Sequence, residues 1–374
     1  MAVYLDYCAS APIDDRVLQT MIDVYHNVPG NADSRTHIYG TKAKELVLKS
    51  RRTVAEILNV DLTEVIFTSG ATESDNMAIL GLANYGLKTG KKHIITSAFE
   101  HKAVLSSMKK MESLGFEVEY ILPESDGRIS AENLLERVRQ DTLLVSLMHV
   151  NNETGVIQPI VPVGKALEER NVLFHIDAAQ SFGKLNNELR AGRYDMLSLS
   201  GHKIHGPQGI GALIIRRKRY KRPPIEALFY GGQQEYGYRP GTTPVALVAG
   251  LAKAAQLMED EYATHKAHLL QTKQMILDAL LPLGGKVNGS IEHALPNVLN
   301  ISIPGIDAEA VFAGLKDDYA LSNGSACTSG SYAPSYVLKA MGFDEQRISE
   351  ALRVSWWIES VDMSALINYV KDMQ

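Results

Sequence analysis

Cysteine is almost missing from these 374 residues: there are two, Cys8 and Cys327. Two thiols so far apart build no disulfide framework, and they lack the paired spacing of a zinc site, so no metal is expected. Long hydrophobic runs are missing too: nothing approaches the roughly 20 apolar residues that span a bilayer. Met1 leads directly into Ala-Val-Tyr-Leu-Asp-Tyr, without the charged flank and apolar core of an export signal. A cytoplasmic protein with no membrane contact is the expectation. Neither sign of charge prevails, since 38 Lys and Arg face 43 Asp and Glu for a net charge of -5, so no field draws the chain directly to nucleic acid. The short basic run from Arg216 to Arg222 reads as a solvated turn after a strand. No internal repeat or low-complexity tract occurs.

What is present is an ordinary globular chain. Its 45% hydrophobic content supports a sizeable core, and its length suits two domains of roughly 150 residues or more. Short aliphatic runs alternate with helical patterns. Strands are expected at Val65 to Thr68, His93 to Thr96, Phe116 to Leu122, Leu143 to Val150, Val172 to Asp177, around Leu197 and at Gly209 to Ile215. Between them the apolar spacing predicts helices such as Lys102 to Leu114, Ala131 to Arg139 and Val161 to Arg170. Strand and helix in turn mean an α/β sheet, mainly parallel, with both faces covered. A long helical region begins near Val245. The domain boundary is placed near Tyr262: residues 14–261 form a large domain, and residues 1–13 with 262–374 form a smaller α+β domain.

Ligands of open α/β sheets bind at the carboxyl edge of the strands. Asp177 ends one buried run and Lys203 follows the next, so a carboxylate and an amine project from neighbouring strand ends into one crevice. A lysine amine condenses with an aldehyde cofactor, and an aspartate facing a ring nitrogen keeps a pyridinium protonated. That is the chemistry of pyridoxal 5'-phosphate. Taken singly, Asp177 would more often cap a helix and Lys203 would more often be an exposed loop lysine; it is their joint placement that points to the cofactor. Gln180 follows the aspartate, while Ser200 and His202 flank the lysine as candidate phosphate or ring contacts.

Other strand ends point to the same edge. Ser69-Gly-Ala-Thr-Glu-Ser-Asp-Asn76 runs from a strand into a helix, and unpaired N–H groups near Ala71 and Thr72 would bind a phosphate; a plain Ser or Thr cap is the alternative. His101 opens a helix after a strand, where it could stack on a flat ring and shuttle protons, and Asn152 follows another strand. Asn31 lies in a turn-rich loop as a turn former or a substrate contact. Cys8 reads as a small buried residue. Cys327 instead sits among Gly, Ser, Ala and Thr, a setting that favours an exposed, reactive thiol over a packed one.

The loop Ser322-Asn-Gly-Ser-Ala-Cys-Thr-Ser329 resembles the catalytic loop of group I cysteine desulfurases of the NifS/IscS type, which are fold-type I pyridoxal-phosphate enzymes. The resemblance covers nearly the whole chain. It includes Thr68-Ser-Gly-Ala-Thr-Glu-Ser-Asp-Asn76, Glu100-His-Lys-Ala-Val104, His149-Val-Asn-Asn-Glu153, Ser200-Gly-His-Lys203, Arg239-Pro-Gly-Thr242 and Pro334-Ser-Tyr-Val-Leu338. It implies that L-cysteine displaces Lys203 from the cofactor, that His101 moves a proton, and that Cys327 attacks the substrate sulfur. Alanine leaves, and a persulfide passes its sulfur to an acceptor: an iron–sulfur scaffold, a tRNA-thiolating enzyme or a DNA phosphorothioation system.

By the same resemblance Ala71, Thr72, Ser200 and His202 hold the phosphate, and Asn152 and Gln180 contact the ring side. Thr242 reaches the phosphate of the other subunit of a homodimer. Arg353 pairs with the substrate carboxylate, assisted by Asn31 and Asn152. The chain departs from the family pattern at Trp356-Trp-Ile358 and at Glu235-Tyr-Gly-Tyr238. Related enzymes of the same fold, aminotransferases and selenocysteine lyases, share the lysine and aspartate without needing the thiol. A non-catalytic assembly partner is a further alternative.

Overall fold

The computed structural model describes residues 2–218, 221–324 and 334–373. Cys327 lies outside them. The strands, in chain order, are β1 (Val3–Tyr4), β2 (Val65–Thr68), β3 (His93–Ser97), β4 (Glu117–Ile121), β5 (Thr142–Met148), β6 (Leu173–Asp177), β7 (Met196–Ser200), β8 (Gly211–Ile215), β9 (Lys286–Val287), β10 (Val298–Ser302), β11 (Tyr319–Ala320) and β12 (Ala351–Ser355). Seven of them make one sheet in the order β2-β8-β7-β6-β5-β3-β4. Strands β3 to β7 pair in parallel, while β8 runs antiparallel between β7 and β2. This is the mixed, mainly parallel sheet that the alternating pattern predicts.

Both faces of the sheet are covered. Along β2, Val65 and Phe67 join one apolar cluster and Ile66 the other; along β5, Val145 and Leu147 face one side and Leu144 the opposite side. Burial on both faces is why these strands read as unbroken aliphatic runs rather than as an alternation. The helix Lys102–Ser113 shows how the cover is made: Val104, Met108 and Met111 recur on one face and are fully buried. The helix expected over 131–139 stops at Glu136. Arg139 N donates instead to Thr142 Oγ1 at 2.7 Å, and the turn feeds β5.

A second, smaller sheet has the antiparallel order β12-β10-β9. Beside it β1 pairs in parallel with β11, and Asp6 bridges to Ser355, so residues 3–6 lie against strands from the last third of the chain. The helix Val245–Leu280 runs unbroken through Tyr262, so the boundary placed there falls inside one continuous helix. Its first half packs on the helices Asp15–Asn27 and Ile38–Leu58. Its second half meets the smaller sheet's neighbourhood, with Lys273 Nζ donating to Leu295 O and Trp356 Nε1 to Leu269 O.

Two sequence features resolve into packing. Trp356 is 1% exposed, and Trp357 stacks on Tyr262 beside His265 and His205. The basic run pairs with the chain's own acids, Arg216 with Glu64, Arg217 with Asp61 and Lys218 with Asp195. Among the described residues no helix is long and apolar enough to cross a membrane.

Candidate active site

Because β3, β5, β6 and β7 run the same way, their carboxyl ends share one edge, in a register that sets Met148 beside Asp177 and Asp177 beside Ser198. A cavity of about 550 Å³ opens there, within the range of small-molecule sites. Ala71, Thr72, Ser200 and His202 line one part of it; His101, Asn152 and Asp177 line another; Gln180, Lys203 and Arg353 complete it. The edge therefore gathers ten of the sequence-predicted residues.

Lys203 ends the short 3₁₀ turn Gly201–Lys203 that continues β7. Its Nζ donates to the carbonyl oxygens of Cys8 at 2.6 Å and Ala9 at 2.7 Å. Gln180 Nε2 donates to the same Cys8 oxygen at 2.8 Å. The segment around Cys8 is thus a wall of the site, which sequence reasoning missed. Cys8 itself is buried as expected, 3% exposed, but it serves through its backbone, and a backbone carbonyl leaves no trace in residue type.

The helix Ala71–Leu80 starts at the cavity with Gly70 at its N-cap and no side-chain cap, so its first N–H groups face the site unspent. Gly70 has φ 153° and ψ 179°, a region that only glycine enters readily. The strand next door also requires the small residue there: a Cβ on Gly211 would lie 2.7 Å from Gly70 Cα. His202 Nδ1 lies 3.3 Å from Ser10 Oγ. Burial, with Lys203 adjoining, lowers the imidazole to about 4, so His202 is a neutral hydrogen-bonding group here.

The floor is acidic and buried. Asp177 accepts from Ala179 N at 2.9 Å; burial raises its carboxyl above the usual range, opposed by His101, that N–H and Lys203. Behind it, Asp75 is raised well above an ordinary aspartate by burial and by Asp177, and His175 Nε2 stands 3.5 Å from its Oδ1. His175 is pushed down to about 3 by burial and bridges the hydroxyls of Ser146 and Ser198, each at 2.9 Å. Glu100 accepts from Met148 N at 3.0 Å and from Ser97 Oγ, and burial raises it to about 8. His101 caps the following helix: its Nδ1 accepts from Ala103 N at 3.2 Å, which places the ring proton of the neutral form on Nε2.

Pyridoxal phosphate fits this donor set. A buried carboxyl lies where a cationic ring nitrogen would offset its desolvation, and an uncapped helix N-terminus lies where a phosphate would bind. Asn152 Oδ1 and Gln180 Oε1 are buried at the cavity with no hydrogen-bond partner among the described residues, as expected of acceptors reserved for a ligand. The amine of Lys203 projects into the same space.

Arg353, on β12, is 2% exposed. Its Nη1 donates to Asn152 O at 2.9 Å and Gly324 O at 3.3 Å, and its Nη2 to Asp6 Oδ1 at 2.6 Å; its Nε is buried without a partner among the described residues. Two predicted residues are not brought here. Asn31 is exposed, its Oδ1 accepting from Asp33 N in a turn. Thr242 lines a separate shallow surface pocket with Phe229, Tyr230 and Arg239, divided from the cavity by Glu73, which pairs with Arg239 at 3.1 Å. Cys327 lies outside the described residues.

Comparison with known proteins agrees with this geometry. Residues 3–361 match the class-V aminotransferase family. A relative from Serratia proteamaculans named cysteine desulfurase IscS is 45% identical over 95% of this chain and 88% of its own length. The solved structure of DndA from Streptomyces lividans is 45% identical with a TM-score of 0.83, covering 95% of this chain and 99% of that one. A structure described as SspA in complex with cysteine is 37% identical with a TM-score of 0.83, covering 96% and 99%. The chain belongs to the class-V aminotransferase family, on its cysteine desulfurase branch.

Proposed function

We propose that this chain is a pyridoxal-phosphate cysteine desulfurase that removes sulfur from L-cysteine, releases L-alanine and holds the sulfur as a persulfide on Cys327 for delivery to an acceptor protein. The observation that carries the reading is the meeting of Lys203, Asp177, His101 and Arg353 in one cavity at the strand ends. The relative named cysteine desulfurase and the neighbour described in complex with cysteine support the same substrate.

Pyridoxal phosphate, when bound, supplies an electron sink that weakens the bond between the substrate's Cβ and sulfur. Lys203 would provide the amine that holds the aldehyde of the cofactor. Asp177 holds a proton at the ring nitrogen, in a floor whose burial strengthens that interaction. His101 moves a proton at the substrate, for which a ring with one protonated and one accepting nitrogen is suited. Arg353 holds the substrate carboxylate, exchanging some of its present partners for it. The Cys327 thiolate attacks the substrate sulfur; the S–S bond forms as the C–S bond breaks, and the carbon skeleton takes up a proton to leave as alanine.

Thr242 stands beside Tyr230, which is 90% exposed, and Phe229, which is 53% exposed. An aromatic patch of that kind marks a contact surface, and in this reading it is where a second subunit receives Thr242 at its phosphate. The enzyme is then a cytoplasmic homodimer with no membrane and no direct nucleic-acid partner. Its acceptor belongs to an iron–sulfur scaffold, tRNA-thiolation or DNA-phosphorothioation system, distinguishable by following ³⁵S from labelled L-cysteine into each.

The central test is alanine formation from L-cysteine by the purified enzyme loaded with pyridoxal phosphate, beside a Cys327→Ser variant. The wild type is expected to form alanine and a persulfide, and the variant neither. A Cys327→Ser enzyme that forms alanine at the wild-type rate would reassign the chain to the lyases or aminotransferases of this fold.

A further inference from the structure

Glu153 is 1% exposed and lies next to Asn152, yet it has no part in the chemistry above. Its side chain reaches across to two residues that flank Cys327 in the chain. On the upstream side it packs on Gly324, where a Cβ would lie 2.9 Å from Glu153 Cγ and 3.1 Å from its Oε2. Gly324 has φ 88°, so both the space and the backbone require glycine there. On the downstream side Ser335 Oγ donates to Glu153 Oε2, and the same hydroxyl accepts from Leu338 N at 3.1 Å to cap the helix Tyr336–Ala340.

Glu153 is itself firmly held. Its N–H and that of Thr154 donate to Asn151 Oδ1 at 2.9 and 3.0 Å, and its carbonyl accepts from Asn300 Nδ2 at 3.2 Å. Arg353 joins the same frame, because one nitrogen, Nη1, serves both Asn152 O and Gly324 O. Arg353, the group expected to hold the substrate carboxylate, and Glu153, the group that ties Gly324 to Ser335, therefore meet at the same two places: Arg353 bonds the carbonyl of Asn152, the residue before Glu153, and the carbonyl of Gly324.

We propose that Glu153 is a positioning residue for the sulfur-accepting step: its carboxyl fixes Gly324 and Ser335 relative to Arg353, and so sets where the chain carrying Cys327 leaves and rejoins the fold. The proposal rests on the desulfurase reading and deepens it. Burial raises the Glu153 carboxyl to about 7, with Ser335, Arg353, Lys102 and His101 pulling it down. Either protonation state accepts from Ser335, so the brace persists through neutral pH.

The test uses the full-length enzyme loaded with pyridoxal phosphate, as wild type, Glu153→Ala, Glu153→Gln and Ser335→Ala. Binding of L-cysteine is read from the change in cofactor absorbance, and persulfide on Cys327 from mass spectrometry in a single turnover. Glu153→Ala is expected to bind L-cysteine as the wild type does and to form the persulfide about 100-fold more slowly, the scale of a misplaced reacting group. Glu153→Gln, whose amide oxygen still accepts from Ser335, should recover most of that rate. Ser335→Ala, which leaves Glu153 in place, should slow the step about 10-fold, the value of one hydrogen bond. Wild-type persulfide rates in both alanine variants would overturn the proposal. So would loss of the absorbance response to L-cysteine in either, which would make the brace part of substrate binding or of the fold. A wild-type enzyme that fails to load Cys327 would instead overturn the desulfurase reading.

Discussion

Two places in this molecule bury carboxyl groups, and they treat them in opposite ways. Glu235 is clasped by Arg51 through two hydrogen bonds of 2.7 Å each and accepts a third from Phe67 N at 2.9 Å; the two side chains are 5% and 6% exposed. At the sheet edge, Asp75, Asp177 and Glu100 are buried among themselves, and all three are raised by that burial. Asp75 has no arginine or lysine against it among the described residues; His175 Nε2 stands 3.5 Å from its Oδ1, and the imidazole is held neutral by burial. In the first arrangement charge is met by charge, and both carboxylate oxygens accept hydrogen bonds from within the protein. The second is costly as it stands, and in the proposed reading a cationic ring nitrogen at Asp177 would offset that cost. Burial alone therefore does not mark function; burial left unbalanced at an open cavity does.

The comparison can be broken most sharply at Asp177. Asp177→Asn keeps the shape and loses the charge, and alanine formation from L-cysteine should fall roughly 10²–10⁴-fold, the scale of a group that holds a proton for the reaction. A variant as fast as wild type would put the floor in the same class as the Arg51 clasp. The clasp itself is tested by Arg51→Ala, which strands a buried carboxylate and should lower the unfolding free energy by about 3–5 kcal/mol in urea titration; Arg51→Ala with Glu235→Gln should recover part of it. A loss no larger than that of a surface pair would remove the contrast from the other side.

A pH-dependent effect is expected at Glu100. Its folded value of about 8 stands above the ordinary 4.5, so the folded state binds the extra proton between those pH values. The stability this gives is fully present below about 4.5 and is lost as pH rises through about 8, with a slope of at most about 1.4 kcal/mol per pH unit. Glu100→Gln keeps an acceptor for Ser97 and Met148 and carries no such proton. Its urea midpoint should be flatter from pH 5 to pH 8 than that of the wild type, and parallel curves would show that Glu100 ionises freely.

The large sheet was legible in the chain because its strands are short aliphatic runs closed by glycine or polar residues, and burial on both faces makes such runs continuous. Asp177 and Lys203 were legible because they end such runs, and His101 and Asn152 because they do the same on neighbouring strands. The carbonyls of Cys8 and Ala9 were hidden, since any residue supplies them. Arg51 and Glu235 were hidden for another reason: 184 positions separate them, and a charged residue in a helix or a loop reads as solvated until its distant partner is known. Glu235 did stand out as a departure from the family pattern, and the structure gives its reason: its φ of 48° and that of Tyr236, 58°, bend the loop so that the carboxyl reaches Arg51. Glu153 lay inside a motif that pointed to the site without saying which of its members does what.

The amide of Cys8 donates to Ser355 Oγ across 347 positions, and Asp6 holds Arg353 across the same span. During synthesis, residues 6–9 leave the ribosome long before their partners on β12 exist, and contacts so far apart in the chain form late. The wall behind Lys203 is thus finished only when almost the entire polypeptide has been made. A nascent or prematurely terminated chain therefore has no assembled pocket at this sheet edge.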